Sequence, residues 1–447
     1  MTQELTEIDA ALRPILPVTA AVSPQGHLVL GGCDVVDLAR EYGTPLYVFD
    51  EETLRGQCRA FRAAFGEAFP QAFVRYGAKA YINRTIAAVV REEGLGLDVV
   101  SGGELAVALA AGFPADRIDF HGNNKLPQEL REALTAGVGH VIIDNFYELA
   151  LLERVAGEVG RRQPVLIRVS PGIDPHTHAK TTTGTVDSKF GIPIATGQAA
   201  EAVARVLASE ALELRGLHFH LGSPIFETEP YAEAVEVVMA FAAAVRERHG
   251  WTLPLLNAGG GMAVQYVRER PAPEPAAYAR TLAAALRQAS ERHGLPLPAV
   301  AVEPGRAIVA RAGVALYTVG SGKEVPGVRT FVSVDGGMAD NIRPAMYGAR
   351  YEALLAGRRA TGPTARVTIA GRYCESGDLL VQDADLPRLE PGDLIAVPAS
   401  GAYNLAMASN YNLALRPAVV LVKDGRARLM VRRETYDDLL RTDLFPG

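Results

Sequence analysis

The sequence predicts an α/β protein in which a TIM-like (β/α)₈ barrel is joined to a second, all-β domain. Three observations predict this fold class. Eight short apolar runs recur between residues 73 and 305, amphipathic segments separate them, and after residue 306 the chain becomes rich in strand patterns and glycine turns. Eight strand–helix repeats are the number that closes a parallel barrel.

The eight apolar runs are short, as expected of parallel strands that are buried on both faces. In chain order they are FVRYGA (73–78), LDVVS (97–101), RIDFHG (117–122), HVIIDN (140–145), VLIRVS (165–170), GLHFHL (216–221), PLLNAGG (254–260) and AVAVEPG (299–305).

The segments between these runs carry apolar residues three or four positions apart and stop at glycine or a polar residue, which predicts helices. Examples are GELAVALAAG, ELREALTAG and FYELALLERVAG. The alternation of strand and helix predicts parallel pairing, for which an open doubly wound sheet is the competing arrangement.

The domain boundaries follow from the same change of pattern. We expect the barrel to occupy residues 45–310 and to bind a cofactor. Segments such as VRTFVSVDGG and ARVTIAGRYC predict a sandwich-like or barrel-like β domain over residues 311–447. The strands of residues 1–44 have no partners in a barrel, so we expect them to join the β domain.

The composition excludes several classes of function. With 48% hydrophobic and 21% charged residues and a net charge of −6, the chain has no basic footprint for nucleic acid or an anionic membrane. No apolar stretch is long enough to span a bilayer, and the acidic N-terminus does not resemble a signal peptide. Three scattered cysteines predict neither a disulfide framework nor a zinc site. We therefore expect a cytoplasmic protein.

Polar residues follow the predicted strands and are expected to meet at one end of the barrel, where such enzymes gather reactive groups. In strand order this set comprises Lys79; Asp98 and Ser101; His121; Asp144; Arg168; His218, His220 and Ser223; Gly259, Gly260 and Gly261; and Glu303, Pro304, Gly305 and Arg306.

Lysine is scarce in this chain, because only six of the 45 basic residues are lysines. Lys79 is the one at a strand end that precedes a helix start. A partly desolvated amine there would have a lowered pKa and would condense with a carbonyl, which arginine cannot do. The alternative is a lysine that only pairs with a neighbouring carboxylate.

Other residues of the set describe a cofactor. The glycines of residues 259–261 and the turn of residues 303–306 predict a phosphate cradle, since barrel phosphate sites use the loops after strands seven and eight. Glu303 is placed to pair with a pyridine nitrogen, and His220 to stack on a flat ring. The alternatives are a tight turn at the glycines, a salt bridge between Glu303 and a neighbouring arginine, and a purely structural role for His220. The set as a whole predicts pyridoxal 5′-phosphate (PLP), because it offers an amine, a phosphate cradle, a carboxylate and a flat ring.

We expect no metal site, because His176 and His178 lie in a polar loop without carboxylates at ligand spacing.

The sequence resembles the fold-type III PLP-dependent decarboxylases over essentially its whole length, and within them the branch that acts on diaminopimelate. The matching segments, in chain order, are YGTPLYVFDEETLR (42–55), YGAKA (76–80), GLDVVSGGEL (96–105), RVSPGIDPHTH with DSKFGI (168–192), GLHFHLGS (216–223), NAGGG (257–261), EPGR (303–306), DGGMADNIRPAMY (335–347), CESGD (374–378) and SGAYN (400–404).

The resemblance implies a role for each matching residue. Lys79 would carry PLP covalently, His220 would stack on its ring and Glu303 would pair with its nitrogen. The phosphate would be held by Ser223, Gly260, Gly261 and the turn of Glu303, Pro304, Gly305 and Arg306, with Tyr403 nearby. The substrate's far carboxylate would be bound by Arg306, Arg343 and Tyr347, with Tyr403 also lining this site. Cys374, as the proton donor, and Glu375, at the substrate's distal end, would come from the second subunit of a homodimer, to whose interface and active site the β domain (residues 1–44 and 311–447) would contribute.

The resemblance also implies an activity, the decarboxylation of meso-2,6-diaminopimelate to L-lysine and CO₂ as the last step of lysine biosynthesis. Two arginines and one glutamate match a substrate whose far end carries both a carboxylate and an ammonium group.

The alternatives are a decarboxylase of the same fold for a related amino acid, such as a carboxynorspermidine or antibiotic-pathway substrate, and a PLP-binding regulatory protein. An alanine racemase would not need CESGD, and a nicotinamide enzyme would need a GxGxxG turn after the first strand.

Overall fold

The computed structural model describes residues 8, 10–174, 183 and 188–445. His176 and His178, at which the sequence predicts no metal site, lie outside the described residues. The described residues form two compact units. The β-rich unit comprises those within 1–56, 264–271 and 308–447, and the barrel unit comprises those within 57–263 and 272–307.

The N-terminal part begins with short strands. Its elements are β1 (Ala21–Val22), β2 (Leu28–Leu30), β3 (Cys33–Asp34), α1 (Val35–Tyr42), β4 (Leu46–Asp50) and α2 (Glu51–Ala68). Strands β1 to β3 form an antiparallel three-stranded sheet of their own. Helix α1 begins after Asp34, whose side chain accepts a hydrogen bond from the Val36 N–H, as an N-cap residue does.

The barrel strands fall on all eight predicted runs. They are β5 (Ala72–Gly77), β6 (Gly96–Val99), β7 (Ile118–Phe120), β8 (His140–Ile143), β9 (Gln163–Ser170), β11 (Leu212–His218), β12 (Leu255–Asn257) and β13 (Ala299–Val302), while the short β10 (Ile192–Pro193) pairs with β9 outside the ring.

These strands are parallel and their pairing closes. Strand β13 pairs with β5, and the ring returns through β6, β7 and β8 to β9, β11 and β12. The β8–β9 pairing excludes the open doubly wound sheet, which would leave two free edges. The predicted fold class, a closed parallel barrel with a separate β domain, is therefore confirmed.

Helices follow the barrel strands as the periodicity predicts. They are α3 (Arg84–Glu92), α4 (Gly102–Ala110), α5 (Pro127–Ala136), α6 (Phe146–Val159), α7 (Gln198–Ala208), α8 (Glu229–His249), α9 (Pro275–His293) and the short α10 (Arg306–Val309). Helices α5 and α8 end at Gly137 (φ 86°) and Gly250 (φ 69°), where the left-handed backbone favours glycine. None of the described helices combines the length and the apolarity needed to cross a bilayer.

The remainder of the chain is dominated by strands. Its elements are β14 (Gly313–Val325), β15 (Arg329–Val334), α11 (Arg343–Tyr347), β16 (Leu354–Leu355), β17 (Thr364–Ala370), β18 (Leu379–Pro387), β19 (Leu394–Val397), β20 (Ala418–Lys423), β21 (Arg426–Val431) and α12 (Tyr436–Leu440). The main sheet has the order β18-β17-β15-β14-β4-β20-β21, and β19 pairs with both β14 and β16.

Strand β4 belongs to this sheet by its pairing. Residues 46–50 fall inside the range expected for the barrel, yet β4 is antiparallel to β14 and parallel to β20. Its side chains Leu46 and Val48 are fully buried in one apolar cluster with Leu30, Leu316 and Val420. Burial of this cluster joins the N-terminal strands to the later sheet.

Candidate active site

The site begins at the carboxyl end of β5, where the chain turns into a short 3₁₀ helix that carries Lys79. The Lys79 amine donates a hydrogen bond of 3.0 Å to Oδ2 of Asp98, which follows from the parallel pairing of β5 with β6. Asp98 is fully buried, whereas 37% of the Lys79 side chain is exposed. An amine beside a buried carboxylate is thus open to a ligand from one side.

Helix caps hold the loops that carry these side chains. The Asn83 side chain accepts a hydrogen bond of 2.9 Å from the Ile86 N–H at the start of α3. At the start of α4, Ser101 Oγ accepts from the Glu104 N–H at 3.2 Å, and the Glu104 carboxylate accepts from the Val100 N–H at 2.7 Å. The first bond caps the start of α4, and the two bonds together fix the loop directly after Asp98.

Glu303 is the most heavily bonded carboxylate of the site. Its Oε1 accepts a hydrogen bond of 2.6 Å from Asn257 Nδ2 and lies 2.9 Å from His121 Nε2, and its Oε2 lies 3.1 Å from His218 Nε2. Burial alone would raise the pKa of Glu303, but His121 and His218 hold it well below the usual range. Glu303 is therefore ionised at neutral pH.

The Glu303 carboxylate can accept one further hydrogen bond. A carboxylate has about four acceptor positions, and on Glu303 hydrogen bonds from Asn257 and His218 fill one on each oxygen, while the ionic contact of His121 covers the rest of Oε1. The position that is left is on Oε2.

His220 presents a neutral ring. Burial, reinforced by the positive charges of Lys79 and Arg168, lowers the pKa of His220 well below its usual value. Its Nδ1 is 3.1 Å from the backbone N–H of Gly260, which donates to it. The ring proton is therefore on Nε2, and the Gly260 N–H, which the sequence assigns to the phosphate, is already engaged.

The glycines after β12 allow backbone segments to approach closely. A Cβ on Gly260 would lie 2.3 Å from the Glu303 carbonyl oxygen, and one on Gly261, where φ is +102°, would lie 2.2 Å from that of Gly222. Either side chain would force the strand ends apart. Gly305 is similarly restricted, because its Cβ would lie 2.8 Å from the Gly77 carbonyl oxygen.

Two further residues predicted for the phosphate lie together. Arg306 Nε donates a hydrogen bond of 3.2 Å to Ser223 Oγ. The Pro304 carbonyl accepts a hydrogen bond of 3.3 Å from the Gly77 N–H, which ties the turn of residues 303–306 to the end of β5. The barrel unit thus gathers the predicted residues from Lys79 to Arg306 at one end of the barrel.

The other predicted residues lie in the β-rich unit. The buried Arg343 begins α11, and half-buried Tyr347 ends it. The Arg343 guanidinium lies 4.9 Å from the ring centre of Tyr266 and 5.6 Å from that of Tyr351. Sequence reasoning missed both tyrosines.

A hydrogen-bond chain fixes the same arginine. Arg343 Nη1 donates to the Tyr351 hydroxyl, and this hydroxyl donates to Asn404 Oδ1 at 3.1 Å. Asn404 is fully buried and directly follows Tyr403, whose φ of 63° lies in the left-handed region. The guanidinium is therefore held in one orientation by ring faces and a hydroxyl group.

Cys374 and Glu375 lie at the tip of a loop between β17 and β18, and both are exposed. The loop is organised by the buried Asp378, whose carboxylate accepts hydrogen bonds from the Met338 N–H (2.6 Å) and the Tyr373 N–H (2.9 Å). The thiol is thus presented outward on an ordered turn.

One set of described residues has the donor types of a metal site, since ligand atoms of His121, His218 and Glu303 lie within 4.8 Å of one another. Both ring nitrogens face a Glu303 oxygen at 2.9 or 3.1 Å. Ionic and hydrogen-bonding contacts therefore account for this cluster, and the expected lack of a metal stays a prediction.

Known proteins are similar to this chain in sequence and in fold. The family model of the pyridoxal-dependent decarboxylases, pyridoxal binding domain, matches residues 52–310. A diaminopimelate decarboxylase of Bacillus subtilis is 47% identical over 426 residues, covering 95% of this chain and 97% of the relative. The chain belongs to the pyridoxal-dependent decarboxylases. The resemblance inferred from its motifs is confirmed.

Solved structures agree with this family. Diaminopimelate decarboxylase of M. jannaschii, in complex with L-lysine, has a TM-score of 0.90 and 34% identity, covering 96% of this chain and 98% of that one. A lysine/ornithine decarboxylase of Vibrio vulnificus, in complex with putrescine, has a TM-score of 0.74 and 25% identity, covering 87% and 98%.

Membership of the pyridoxal-dependent decarboxylases makes pyridoxal 5′-phosphate the cofactor, and the residues of the barrel end fit it. Lys79 offers a half-exposed amine, and Glu303 offers an acceptor position for a protonated ring nitrogen. The backbone turn at Gly261 has no room for a side chain. Each feature suits a different part of the cofactor, namely its aldehyde, its ring nitrogen and its phosphate.

Proposed function

We propose that this pyridoxal-dependent decarboxylase converts meso-2,6-diaminopimelate to L-lysine and CO₂. The observation that carries the proposal is its similarity to diaminopimelate decarboxylases along nearly the whole chain, including 47% identity to the Bacillus subtilis enzyme and 44% to that of Mycobacterium tuberculosis. This similarity includes the β-rich unit, which lies largely outside the match to the pyridoxal binding domain.

The cofactor supplies an electron-withdrawing ring, which accepts the electron pair released when a carboxylate leaves as CO₂. The protein's residues prepare the surroundings. Lys79 holds the cofactor's aldehyde carbon. Glu303, ionised and fixed by its three contacts, keeps a proton on the ring nitrogen. The neutral His220 ring adds an uncharged flat surface, against which a ring packs without repulsion.

Substrate specificity is assigned to the β-rich unit. The far end of meso-diaminopimelate carries a carboxylate and an ammonium group. Arg343, held by Tyr266 and Tyr351, provides a fixed guanidinium for the carboxylate, with Tyr347 at the other end of α11. Glu375 provides the matching negative charge for the ammonium group.

The exposed Cys374 and Glu375 also support a homodimer in which each subunit completes the other's site. In this arrangement the Cys374 thiol delivers the proton that replaces the departing carboxylate. The proposed cytoplasmic location follows from the use of the product, L-lysine, in protein synthesis.

The experiment is a CO₂-release assay on the purified holoenzyme with meso-diaminopimelate, its L,L isomer, L-lysine and L-ornithine. We expect turnover of the meso isomer alone. Preferential release from L-lysine or L-ornithine would overturn the substrate assignment. A protein that binds the cofactor but releases CO₂ from none of these substrates would be a regulator and would overturn the proposed activity.

A further inference from the structure

Two buried histidines flank the carboxylate of Glu303. The rings of His121 and His218 meet edge to face with centres 4.9 Å apart, and both Nε2 atoms face the Glu303 carboxylate. The His121 Nε2 atom also lies 3.7 Å from Oδ1 of Asp98. His121 is therefore the group that stands between the two buried carboxylates.

Before the cofactor binds, the charges at this end of the barrel leave Glu303 without a cationic partner unless one of these histidines is protonated. Asp98 pairs with Lys79 through Oδ2, and Asp144 faces Arg168 at 3.7 Å. Within the described part of the chain, the other groups in contact with Glu303 are the neutral Asn257 amide and the two histidines. An unpaired buried carboxylate is strongly disfavoured, so the counter-ion is His121 or His218.

Hydrogen-bond geometry distinguishes the two histidines. Among the described residues, His121 Nε2 and Asp98 Oδ1 are buried atoms without an aligned hydrogen-bond partner. A neutral imidazole would leave both atoms uncompensated, whereas a positive charge attracts both carboxylates without linear alignment. His218 Nδ1 is likewise buried, and no described residue bonds to it. A second proton there would be unpaired, which favours a neutral His218 with its proton on Nε2.

We propose that His121 is held as an imidazolium between Asp98 and Glu303, and that it is a positioning residue that keeps Glu303 ionised towards the cofactor's ring nitrogen, while His218 stays neutral. This inference rests on the proposed function for the use of the ring nitrogen. It assigns opposite protonation states to two histidines that contact the same carboxylate.

The pKa directions agree with this assignment. Burial opposes protonation of both histidines, but Asp98 and Glu303 together raise the pKa of His121, whereas the pKa of His218 is lowered. The titratable and charged groups that face His121 are Lys79, Asp98, Glu104, Asp119, His218 and Glu303. Of the carboxyl groups in this set, burial raises the pKa of Glu104 to about 7, so Glu104 is a weak counter-ion at neutral pH.

Neutron diffraction from deuterium-exchanged crystals of the unaltered holoenzyme tests the protonation states directly. We expect deuterons on both ring nitrogens of His121, a deuteron on Nε2 alone of His218, and none on Glu303. A singly protonated His121, or a doubly protonated His218, would overturn the inference. This measurement needs no substrate, so its outcome is independent of whether diaminopimelate is decarboxylated.

The positioning role is tested by two matched variants, His121→Gln and His218→Gln, through the dissociation constant of PLP measured across pH. We expect His121→Gln to raise this constant about ten-fold at pH 7, because burial without the neighbouring cation raises the pKa of Glu303, and a ten-fold loss corresponds to about one ionised carboxyl in ten. As the pH rises further, Glu303 ionises in His121→Gln and this loss should disappear. Wild type and His218→Gln keep the imidazolium and should not show this step. The same pH profile in all three proteins would show that His121 acts only through packing and would overturn its role.

Discussion

Replacing Glu303 by glutamine should turn the hydrogen-bond acceptor that faces the cofactor's ring nitrogen into a donor. Glutamine has one carbonyl oxygen and one NH₂ group, and Asn257 Nδ2, at 2.6 Å from Oε1, requires the oxygen at that position. The NH₂ group then takes the position of Oε2, where it meets His218 Nε2 at about the 3.1 Å of the present contact. The acceptor position left for the cofactor becomes a donor, so a protonated ring nitrogen loses its partner.

The size of the effect follows from the bond that is lost. A hydrogen bond to a charged group contributes roughly 1.5–3 kcal/mol, and every ~1.4 kcal/mol corresponds to a factor of ten in rate. We therefore expect Glu303→Gln to lower kcat for meso-diaminopimelate about 10- to 150-fold. The assay is steady-state CO₂ release at saturating PLP, with cofactor occupancy measured separately by absorbance.

Glu148→Gln is a matched control, because Glu148 is also a buried glutamate of the barrel unit and pairs with Lys125 at 2.6 Å. It should lose stability, but its folded fraction should keep the wild-type kcat. A Glu303→Gln enzyme with full cofactor occupancy and a kcat within about three-fold of wild type would refute the reasoning about the ring nitrogen.

Three further outcomes are expected. Cys374→Ala should lower kcat roughly 100-fold, the contribution of a positioned proton donor, and normal turnover would show that another group donates. Tyr351→Phe should raise KM for meso-diaminopimelate about ten-fold with little change in kcat, since it frees Arg343 and leaves buried Asn404 Oδ1 unpaired; an unchanged KM would remove Tyr351 from substrate binding. Burial raises the pKa of Asp340 from 3.8 to about 6, so its folded state favours the protonated carboxyl. In denaturant unfolding, wild-type stability relative to Asp340→Asn should fall by about 3 kcal/mol as the pH rises from about 4 to above 6, and a constant difference would contradict this.

The barrel could be predicted because apolar residues are spaced differently along its strands and along its helices. Runs such as HVIIDN and VLIRVS contain three consecutive apolar residues, as expected of strands that are buried on both faces. Strand β4, with the run LYVFD, has the same appearance, although it pairs with β14 and β20 in the other unit. Pairing partners far apart in the chain leave no periodic signal, so the sheet to which β4 belongs could not be predicted.

The strand-end residues could be predicted as a set, because parallel strands in one barrel bring their carboxyl ends together. Their contacts could not. The position of His121 after β7 does not show that its ring reaches Glu303, since this depends on side-chain directions across the barrel. The role of Asn257 was hidden for the same reason, although it precedes the glycine turn that the sequence analysis singled out.

The residues around Arg343 were missed for another reason. Tyr266, Tyr351 and Asn404 come from three separate segments, and an isolated tyrosine or asparagine carries no motif. Only the folded β-rich unit brings them to one guanidinium.

The most direct test of the account is borohydride reduction of the yellow holoenzyme, followed by proteolysis and mass spectrometry of the peptide that retains the cofactor. The account predicts a single labelled peptide, with the added mass on Lys79. Lys125 is an internal control, because its buried amine is bound by Glu148 and by two carbonyl groups and should stay unlabelled. Label on another lysine, or no label at all, would contradict the assignment of Lys79 as the residue that carries the cofactor.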